Sequence, residues 1–281
     1  MNIGPYTLSP IETGYIWLDG GAMFGTVPRV FWEKPHPPDD KNRIRLAMRA
    51  LLLQGEGKNI LVDCGNGDKG GGRFKEFYNL DQETANLEKS LKARSLSCGD
   101  ITDVVLSHLH FDHAGAATTA INGEYRPTFP NATYYLQGRN LETAKSPNLK
   151  ERASYLSETY EALVASGKLK LLDGASEIFS GVDLLISEGH TQAQQHIVVR
   201  GDKKTLFYCG DIIPTPAHLA IPWIAGYDLH PMTMLKEKEE ILSKAVVENW
   251  ILFYEHDPKI PATYVRKGTK HYEAGEIVDF S

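Results

Sequence analysis

The chain has few cysteines and no long apolar run. Its three cysteines, Cys64, Cys98 and Cys209, are odd in number and far apart, which predicts free thiols rather than a disulfide framework. Zinc coordination by Cys209, two residues before Asp211, is the alternative. No apolar run approaches the roughly 20 residues that span a membrane, and the first residues lack the basic and apolar regions of a signal peptide. We therefore expect a cytoplasmic protein without a membrane partner.

Clustered positive charge and a serine-nucleophile motif are also missing. The formal net charge is −6, from 30 Lys and Arg against 36 Asp and Glu, and the sequence contains no long basic run. Nucleic-acid binding depends on clustered Lys and Arg that neutralise phosphates, so we expect no nucleic-acid partner. The sequence has no Gly-x-Ser-x-Gly motif, which argues against the serine nucleophile that this motif carries in many hydrolases.

The densest group of metal-binding side chains lies in residues 107–113, which read Ser-His-Leu-His-Phe-Asp-His. The segment follows a short apolar run that predicts a buried strand. His108 and His110 alternate in an extended loop and can point the same way, while Asp112 and His113 begin the next turn. Imidazoles and carboxylates are the ligands that zinc and similar metals prefer. Because such a loop cannot enclose a metal alone, the sequence predicts further ligands at later strand ends.

Three later apolar runs are predicted to be strands, and each is followed by one further side chain of a type that binds metals. These side chains are His190, Asp211 and His256. Each of them could be an ordinary turn or capping residue, but agreement of all three with the histidine loop indicates one site. Asp63 also follows a predicted strand, beside glycines, where turn chemistry and a role at the site are both open.

These motifs resemble those of the metallo-β-lactamase superfamily, whose pattern is His-x-His-x-Asp-His followed by single His, Asp and His residues at later strand ends. The resemblance covers roughly residues 45–260. It implies an α/β fold, the four-layer αββα sandwich, with the site at one edge between the two sheets. We expect a single domain over residues 1–281, in which residues 1–43 form an irregular N-terminal extension of glycine, proline and large apolar groups.

The resemblance implies a site for two divalent metal ions, with zinc as the preferred metal. Each implied set of ligands is named by position: the first metal takes His108, His110 and His190, and the second takes Asp112, His113 and His256. Asp211 would bridge the two metals. Asp63 would support a ligand histidine from outside the ligand set and fix its tautomer and orientation.

Within the superfamily, the wording Ser-His-Leu-His-Phe-Asp-His-Ala-Gly is most similar to the branch of N-acyl homoserine lactone lactonases and methyl-parathion-hydrolase-like enzymes. Asp211 argues against the β-lactamases that use a cysteine there, and Leu109 against the glyoxalase II proteins, which have a histidine at that position. The sequence departs from the branch twice. Gln194 replaces a histidine that is not a ligand in this branch, and Pro214 stands where some lactonases carry a tyrosine that assists the substrate carbonyl. Tyr227 is a candidate for that part.

The implied activity is hydrolysis of N-acyl homoserine lactones or related lactones and esters, with a metal-bridging hydroxide as nucleophile and Asp112 passing a proton to the leaving alkoxide. Phosphotriester or aryl ester hydrolysis on the same metals is an alternative, and a non-catalytic metal-binding protein is another. A homodimer is implied by analogy with the branch. The candidates for an apolar substrate pocket, which could equally fill the core or a subunit contact, are Phe24, Trp32, His218, Trp223 and Tyr227.

Overall fold

Two seven-stranded sheets form the centre of the protein in a computed structural model that describes residues 1–280. The first sheet contains, in spatial order, β1 (Asn2–Ile3), β2 (Tyr6–Asp19), β3 (Arg43–Gly55), β4 (Lys58–Val62), β5 (Asp103–Val105), β8 (Thr133–Gln137) and β9 (Leu169–Leu172). A separate hairpin is formed by β6 (Thr118–Ile121) and β7 (Glu124–Pro127). The strands from β4 to β9 in this sheet run parallel to one another, whereas β1 to β4 are antiparallel.

The second sheet is mainly antiparallel. Its spatial order follows the chain: β10 (Glu177–Phe179), β11 (Val182–Ser187), β12 (Gln194–Arg200), β13 (Thr205–Tyr208), β14 (Ile251–Phe253), β15 (Ala262–Lys267) and β16 (Tyr272–Ile277). Only the neighbours β13 and β14 pair in parallel among the described strands of this sheet. Their carboxyl ends therefore lie side by side, which brings together the residues that follow them.

Eight α-helices and five short 3₁₀ helices complete the described structure; the 3₁₀ helices are Cys98–Asp100, Gly115–Ala117, Arg152–Ser154, Gly210–Ile212 and Pro216–Leu219. The α-helices are α1 (Gly20–Phe24), α2 (Arg29–Trp32), α3 (Gly71–Tyr78), α4 (Leu87–Lys92), α5 (Phe111–Ala114), α6 (Gly138–Lys145), α7 (Ser157–Ser166) and α8 (Pro231–Val247). None of the helices within residues 1–280 is long and apolar enough to cross a membrane.

The buried side chains form layers that confirm the αββα sandwich. Leu51 and Leu53 of β3 pack between the two sheets, whereas Ala50 and Leu52 point to the other face and join the core under α4, α6 and α7. This alternation is the period-two geometry of a strand. Because both faces of β3 are covered, its sequence is a nearly continuous apolar run. A third core lies between α8 and the outer face of the second sheet.

The prediction of an irregular extension over residues 1–43 is wrong for residues 6–19, which form the long strand β2. Pro10 and Gly14 interrupt the apolar pattern there and hide the strand. Pro10 is tolerated because β1 covers only the start of β2, so the rest of β2 is an edge strand. Gly14 lies at a bulge, where the register against β3 shifts.

Two helices are shorter than their sequence patterns predict. The pattern over residues 81–96 gives only α4, because the Asn86 side chain accepts from the Lys89 amide and caps the helix there. The pattern over residues 148–166 predicts a helix that ends at Gly167, but only α7 forms; Gly167 follows its last residue, Ser166, in the left-handed conformation. Residues 148–156 instead form an irregular segment that crosses the histidine loop.

Candidate metal centre

His108, His110, His190 and Asp211 form the first cluster of ligand-type side chains. Nε2 of His190 lies 3.2 Å from Nδ1 of His110 and 3.0 Å from Oδ2 of Asp211. The same oxygen of Asp211 lies 3.8 Å from Nε2 of His108. The three imidazoles come from the loop after β5 and the loop after β11, so the site lies at the edge of both sheets.

Asp112, His113 and His256 form a second cluster directly beside the first. Nε2 of His256 lies 3.3 Å from Nε2 of His113, and each of these nitrogens lies 3.9 Å from an oxygen of Asp112. Asp211 contacts this cluster as well, with Oδ1 2.9 Å from His256 Nε2 and Oδ2 3.3 Å from His113 Nε2. All seven residues predicted as ligands are therefore brought together, with Asp211 between the two groups.

The second cluster fits a cation on geometric grounds. The outer nitrogen of His256, Nδ1, lies 2.8 Å from the carbonyl oxygen of Ala47, and that of His113 lies 2.9 Å from Oε2 of Glu255. In the neutral imidazoles these outer nitrogens therefore carry the hydrogens, and the inner Nε2 atoms, 3.3 Å apart, would present lone pairs to each other. Two such lone pairs repel unless a proton or a metal ion lies between them.

Charge around the clusters supports the same conclusion. Burial lowers the pKa of these imidazoles, but neighbouring carboxylates together more than offset this: Asp211 and Asp228 raise the pKa of His190 to about 10, and Asp211 and Glu255 raise that of His256 to about 9. His108, where burial dominates, has its pKa held well below the usual value. The two clusters therefore attract positive charge, as protons in the metal-free protein and as metal ions when these are bound.

Asp63 binds the histidine loop through Ser107 and His113. Its two carboxylate oxygens accept from the amide and the hydroxyl of Ser107 at 2.7 and 2.6 Å, and Oδ2 lies 3.2 Å from Nδ1 of His113. Ser107 Oγ in turn lies 3.0 Å from Nδ1 of His108. Asp63 has a positive φ of 56°. This backbone conformation is strained for residues other than glycine, and the surrounding contacts hold Asp63 in it.

Glu255 is a buried partner of the site that the sequence interpretation did not single out. Its Oε2 contacts His113 and accepts from the hydroxyl of Tyr208 at 2.6 Å, and the same hydroxyl lies 3.1 Å from Oδ2 of Asp63. Burial, reinforced by the neighbouring Asp63 carboxylate, raises the pKa of Glu255 to about 7. The one available signal was the position of this acid directly before His256.

Asp228 and Glu151 were also missed. Oδ1 of Asp228 lies 2.9 Å from Nδ1 of His190, and Oε2 of Glu151 lies 3.8 Å from Nε2 of His110. Both carboxylates are buried. Carboxylates in such positions fix the tautomer and orientation of a ligand histidine. Neither residue follows a predicted strand, so no sequence pattern points to them.

The thiol of Cys209 does not join either cluster. Cys64, Cys98 and Cys209 are all free, and Cys64 and Cys209 are buried. The prediction of free thiols is confirmed for all three.

A cavity of about 70 Å³ opens beside the two clusters. Tyr227 is the one predicted pocket residue that lines it; the other lining residues are Leu18, Met23, Tyr78, His110, Phe111, Asp112, Lys150, Glu151, Ser154, His190, Asp211, Pro214, Ala225 and His256. One side of the cavity is thus apolar and aromatic, and its floor carries the ligand-type side chains.

The other predicted pocket residues, Phe24, Trp32, His218 and Trp223, lie behind this wall. The Phe24 ring stacks on Trp32 and on His218, at centroid distances of 5.6 and 4.6 Å, and meets Trp223 edge-on at 5.7 Å. Burial lowers the pKa of His218 to about 3, so its imidazole is neutral and donates from Nε2 to the carbonyl oxygen of Met23 at 2.9 Å. These four rings support Met23 instead of facing the cavity, which corrects the expectation of direct substrate contact.

Buried imidazoles and carboxylates converge in two adjacent clusters at the floor of a cavity, an arrangement suited to metal ions that activate water. The chain belongs to the metallo-β-lactamase superfamily, because the sequence model of that superfamily matches residues 49–256. This match covers most of the chain and includes all seven ligand-type residues.

Individual relatives agree with this family. An N-acyl homoserine lactonase of Bacillus cereus is 28% identical over 229 residues, which cover 77% of this chain and 83% of the relative. A solved structure of a probable metal-dependent hydrolase from Staphylococcus aureus is similar with a TM-score of 0.89 and 27% identity, covering 99% of this chain and 100% of the other. AidC, a dizinc quorum-quenching lactonase solved with a product, has the same fold at a TM-score of 0.81 and 20% identity, with 99% and 97% of the chains covered.

Proposed function

We propose that this protein is a dinuclear metal-dependent lactonase that opens N-acyl homoserine lactones or related lactones and esters. The observation that carries the proposal is the position of Asp211, whose carboxylate lies between the two clusters: Oδ2 lies 3.0 Å from Nε2 of His190 in the first, and Oδ1 lies 2.9 Å from Nε2 of His256 in the second. A carboxylate placed in this way is suited to bridge two cations. The relatives named as N-acyl homoserine lactonases support the choice of substrate.

In this proposal His108, His110 and His190 would hold one metal, Asp112, His113 and His256 would hold the other, and Asp211 would contribute to both. Five imidazoles and two carboxylates are a donor set suited to zinc. Two bound divalent cations would supply Lewis-acid polarisation of the substrate carbonyl and a water molecule of lowered pKa. The outer partners of the imidazoles would keep the inner nitrogens aimed at the metals.

Two side chains of the cavity are proposed to act on the substrate. Asp112 lines the cavity with a carboxylate that can pass a proton to the leaving alkoxide. Burial raises the pKa of Tyr227 to about 12, so its hydroxyl stays protonated and can donate to the carbonyl oxygen of the substrate. Tyr227 would thereby supply the hydrogen-bond donor that Pro214 lacks. The homodimer expected from the branch stays a prediction.

The test is metal analysis of the purified protein together with a panel of substrates. We expect two metal ions per chain and faster hydrolysis of N-acyl homoserine lactones than of aryl esters or paraoxon-like phosphotriesters. Asp211→Ala should lose metal and most activity, whereas Asp202→Ala, in an exposed turn, should change neither. A preference for the phosphotriesters would replace the lactonase proposal with the phosphotriesterase alternative, and two bound metals without any hydrolysis would indicate a non-catalytic protein.

A further inference from the structure

The cavity beside the metal clusters is lined by both apolar and polar side chains. Leu18 and Met23 are apolar lining residues, whereas the polar residues Lys150, Glu151 and Ser154, called the polar side below, come from the segment between α6 and α7. A ligand that enters this cavity therefore meets both hydrocarbon and hydrogen-bonding groups. Such a cavity selects for a substrate that has both kinds of surface.

The polar side is fixed in position by contacts with the metal centre. Tyr155 pairs with His110 through an isolated antiparallel bridge, which ties the segment to the histidine loop. The Lys150 ammonium donates to the carbonyl oxygen of Asp228 at 2.5 Å, and the carboxylate of Asp228 contacts His190. The ammonium group is therefore held at the rim of the site, two contacts away from a ligand histidine.

The Lys150 ammonium retains hydrogen-bonding capacity for a ligand. The Asp228 carbonyl is its one hydrogen-bond partner within residues 1–280, and an ammonium has three N–H donors. The neighbouring Glu151 carboxylate forms no close ion pair with it; Oε1 accepts from Asn148 at 2.7 Å and Oε2 accepts from Thr191 at 2.8 Å. Lys150 therefore lines the cavity with an ammonium group that has N–H donors left for a ligand.

We propose that Lys150 is a specificity-determining residue that donates to a carbonyl group which the substrate carries beside the bond to be hydrolysed. The inference rests on the proposed lactonase function and narrows its substrate class. It favours lactones and esters with an adjacent amide or keto group over simple alkyl lactones, which would contact only the apolar side. A charged donor strengthens such a hydrogen bond relative to a neutral one.

The test compares Lys150→Met with the unsubstituted metal-loaded protein on two lactones with the same ring. N-hexanoyl homoserine lactone carries an amide beside the ring, whereas α-hexyl-γ-butyrolactone does not. We expect Lys150→Met to raise KM for the first lactone about tenfold, the usual effect of losing a hydrogen bond to a charged group. KM for the alkyl lactone and kcat for both should stay within about twofold. Lys150→Arg keeps a charged donor, so its KM for N-hexanoyl homoserine lactone should return most of the way to that of the unsubstituted protein.

Lys89→Met is the matched control. Lys89 also donates to a backbone carbonyl, that of Glu83 at 2.7 Å, but does not line the cavity. Lys89→Met should leave KM for both lactones unchanged. The metal content, measured for every variant, separates an effect on substrate binding from an indirect effect through Asp228. Equal losses on both lactones, or no loss on the acylamino lactone, overturn the inference about Lys150. If the unsubstituted protein hydrolyses neither lactone, the proposed function fails instead.

Discussion

Asp228 and His190 are joined by a contact of 2.9 Å between Oδ1 and Nδ1, and both side chains are buried. The other oxygen of Asp228 accepts from the Ala225 amide at 2.9 Å, and Ala225 lines the cavity. One carboxylate thus connects a ligand-type histidine with the turn that shapes the substrate cavity. This arrangement couples the orientation of the imidazole to the position of the cavity wall.

Asp228→Asn should weaken metal binding while leaving the protein folded. The asparagine keeps the shape of the side chain but loses the charge that aligns the imidazole of His190, and substitutions of this kind typically cost about 10- to 100-fold in metal affinity. Competition with a chelator would measure the affinity. Asp183→Asn is the control, since Asp183 pairs with Arg200 far from the site. Equal affinities in the two variants would contradict the coupling.

Metal binding should release protons at neutral pH. The pKa values of about 10 for His190 and about 9 for His256 mean that both imidazoles are protonated in the metal-free protein at pH 7. A metal ion must displace these protons, so affinity should rise with pH up to that range. Calorimetric titrations with zinc in buffers of different ionisation enthalpy would count the released protons. A heat that does not depend on the buffer would refute the prediction.

His218 should make the protein sensitive to acid. Its pKa of about 3 in the folded state lies below the usual value of about 6.5, so the unfolded chain binds the extra proton between these limits. The stabilisation is fully present above pH 6.5 and is lost as the pH falls toward 3. Between pH 6.5 and pH 5 the loss is at most about 2 kcal/mol. As the pH falls from 8 to 5, the free energy of unfolding of the metal-free protein in urea should therefore decrease relative to that of His218→Phe.

The same comparison has a clear negative result. If the difference in unfolding free energy between the two proteins is constant from pH 8 to pH 5, the imidazole of His218 is not held neutral by burial. His271→Phe, at an exposed position, provides the control and should show no such pH-dependent difference.

Tyr227→Phe should lower kcat for lactones with little change in KM. Removing one donor that acts on the developing charge of the carbonyl oxygen costs on the order of tenfold or more in kcat. The ring itself remains as part of the cavity wall. Steady-state kinetics would separate the two constants, with Tyr125→Phe on the distant β7 as control. An unchanged kcat would assign Tyr227 to packing alone.

Lys238→Met should destabilise the protein without touching the metal centre. The buried Lys238 ammonium donates to the carbonyl oxygens of Ala220, Ile221 and Trp223, at 3.1, 3.3 and 2.7 Å. Methionine fills the same space but leaves these acceptors unpaired, which we expect to cost about 2–4 kcal/mol. Lys236→Met, on the exposed side of the same helix, should cost less than about 0.5 kcal/mol. Denaturant unfolding of both variants measures the difference.

Most strands of the two sheets were predictable within a few residues, because a strand buried on both faces leaves an apolar run in the sequence. The run at residues 45–53, for example, corresponds to β3. Prediction failed where local signals and tertiary contacts disagree. Residues 148–156 have a helical pattern, but the side chains of Asn148 and Glu151 bond to each other and Tyr155 pairs with the histidine loop.

The seven residues of the two clusters could be recognised in the sequence, because they follow apolar strands and are of the types that bind metals. Their partners became visible only in the folded protein. His190 meets Asp228, 38 positions away, and His256 meets the carbonyl of Ala47, 209 positions away. Such partners, like the ring cluster behind Met23 and the polar side of the cavity, depend on how loops distant in the chain pack together. No local pattern records that packing, because its free energy arises only when the segments meet.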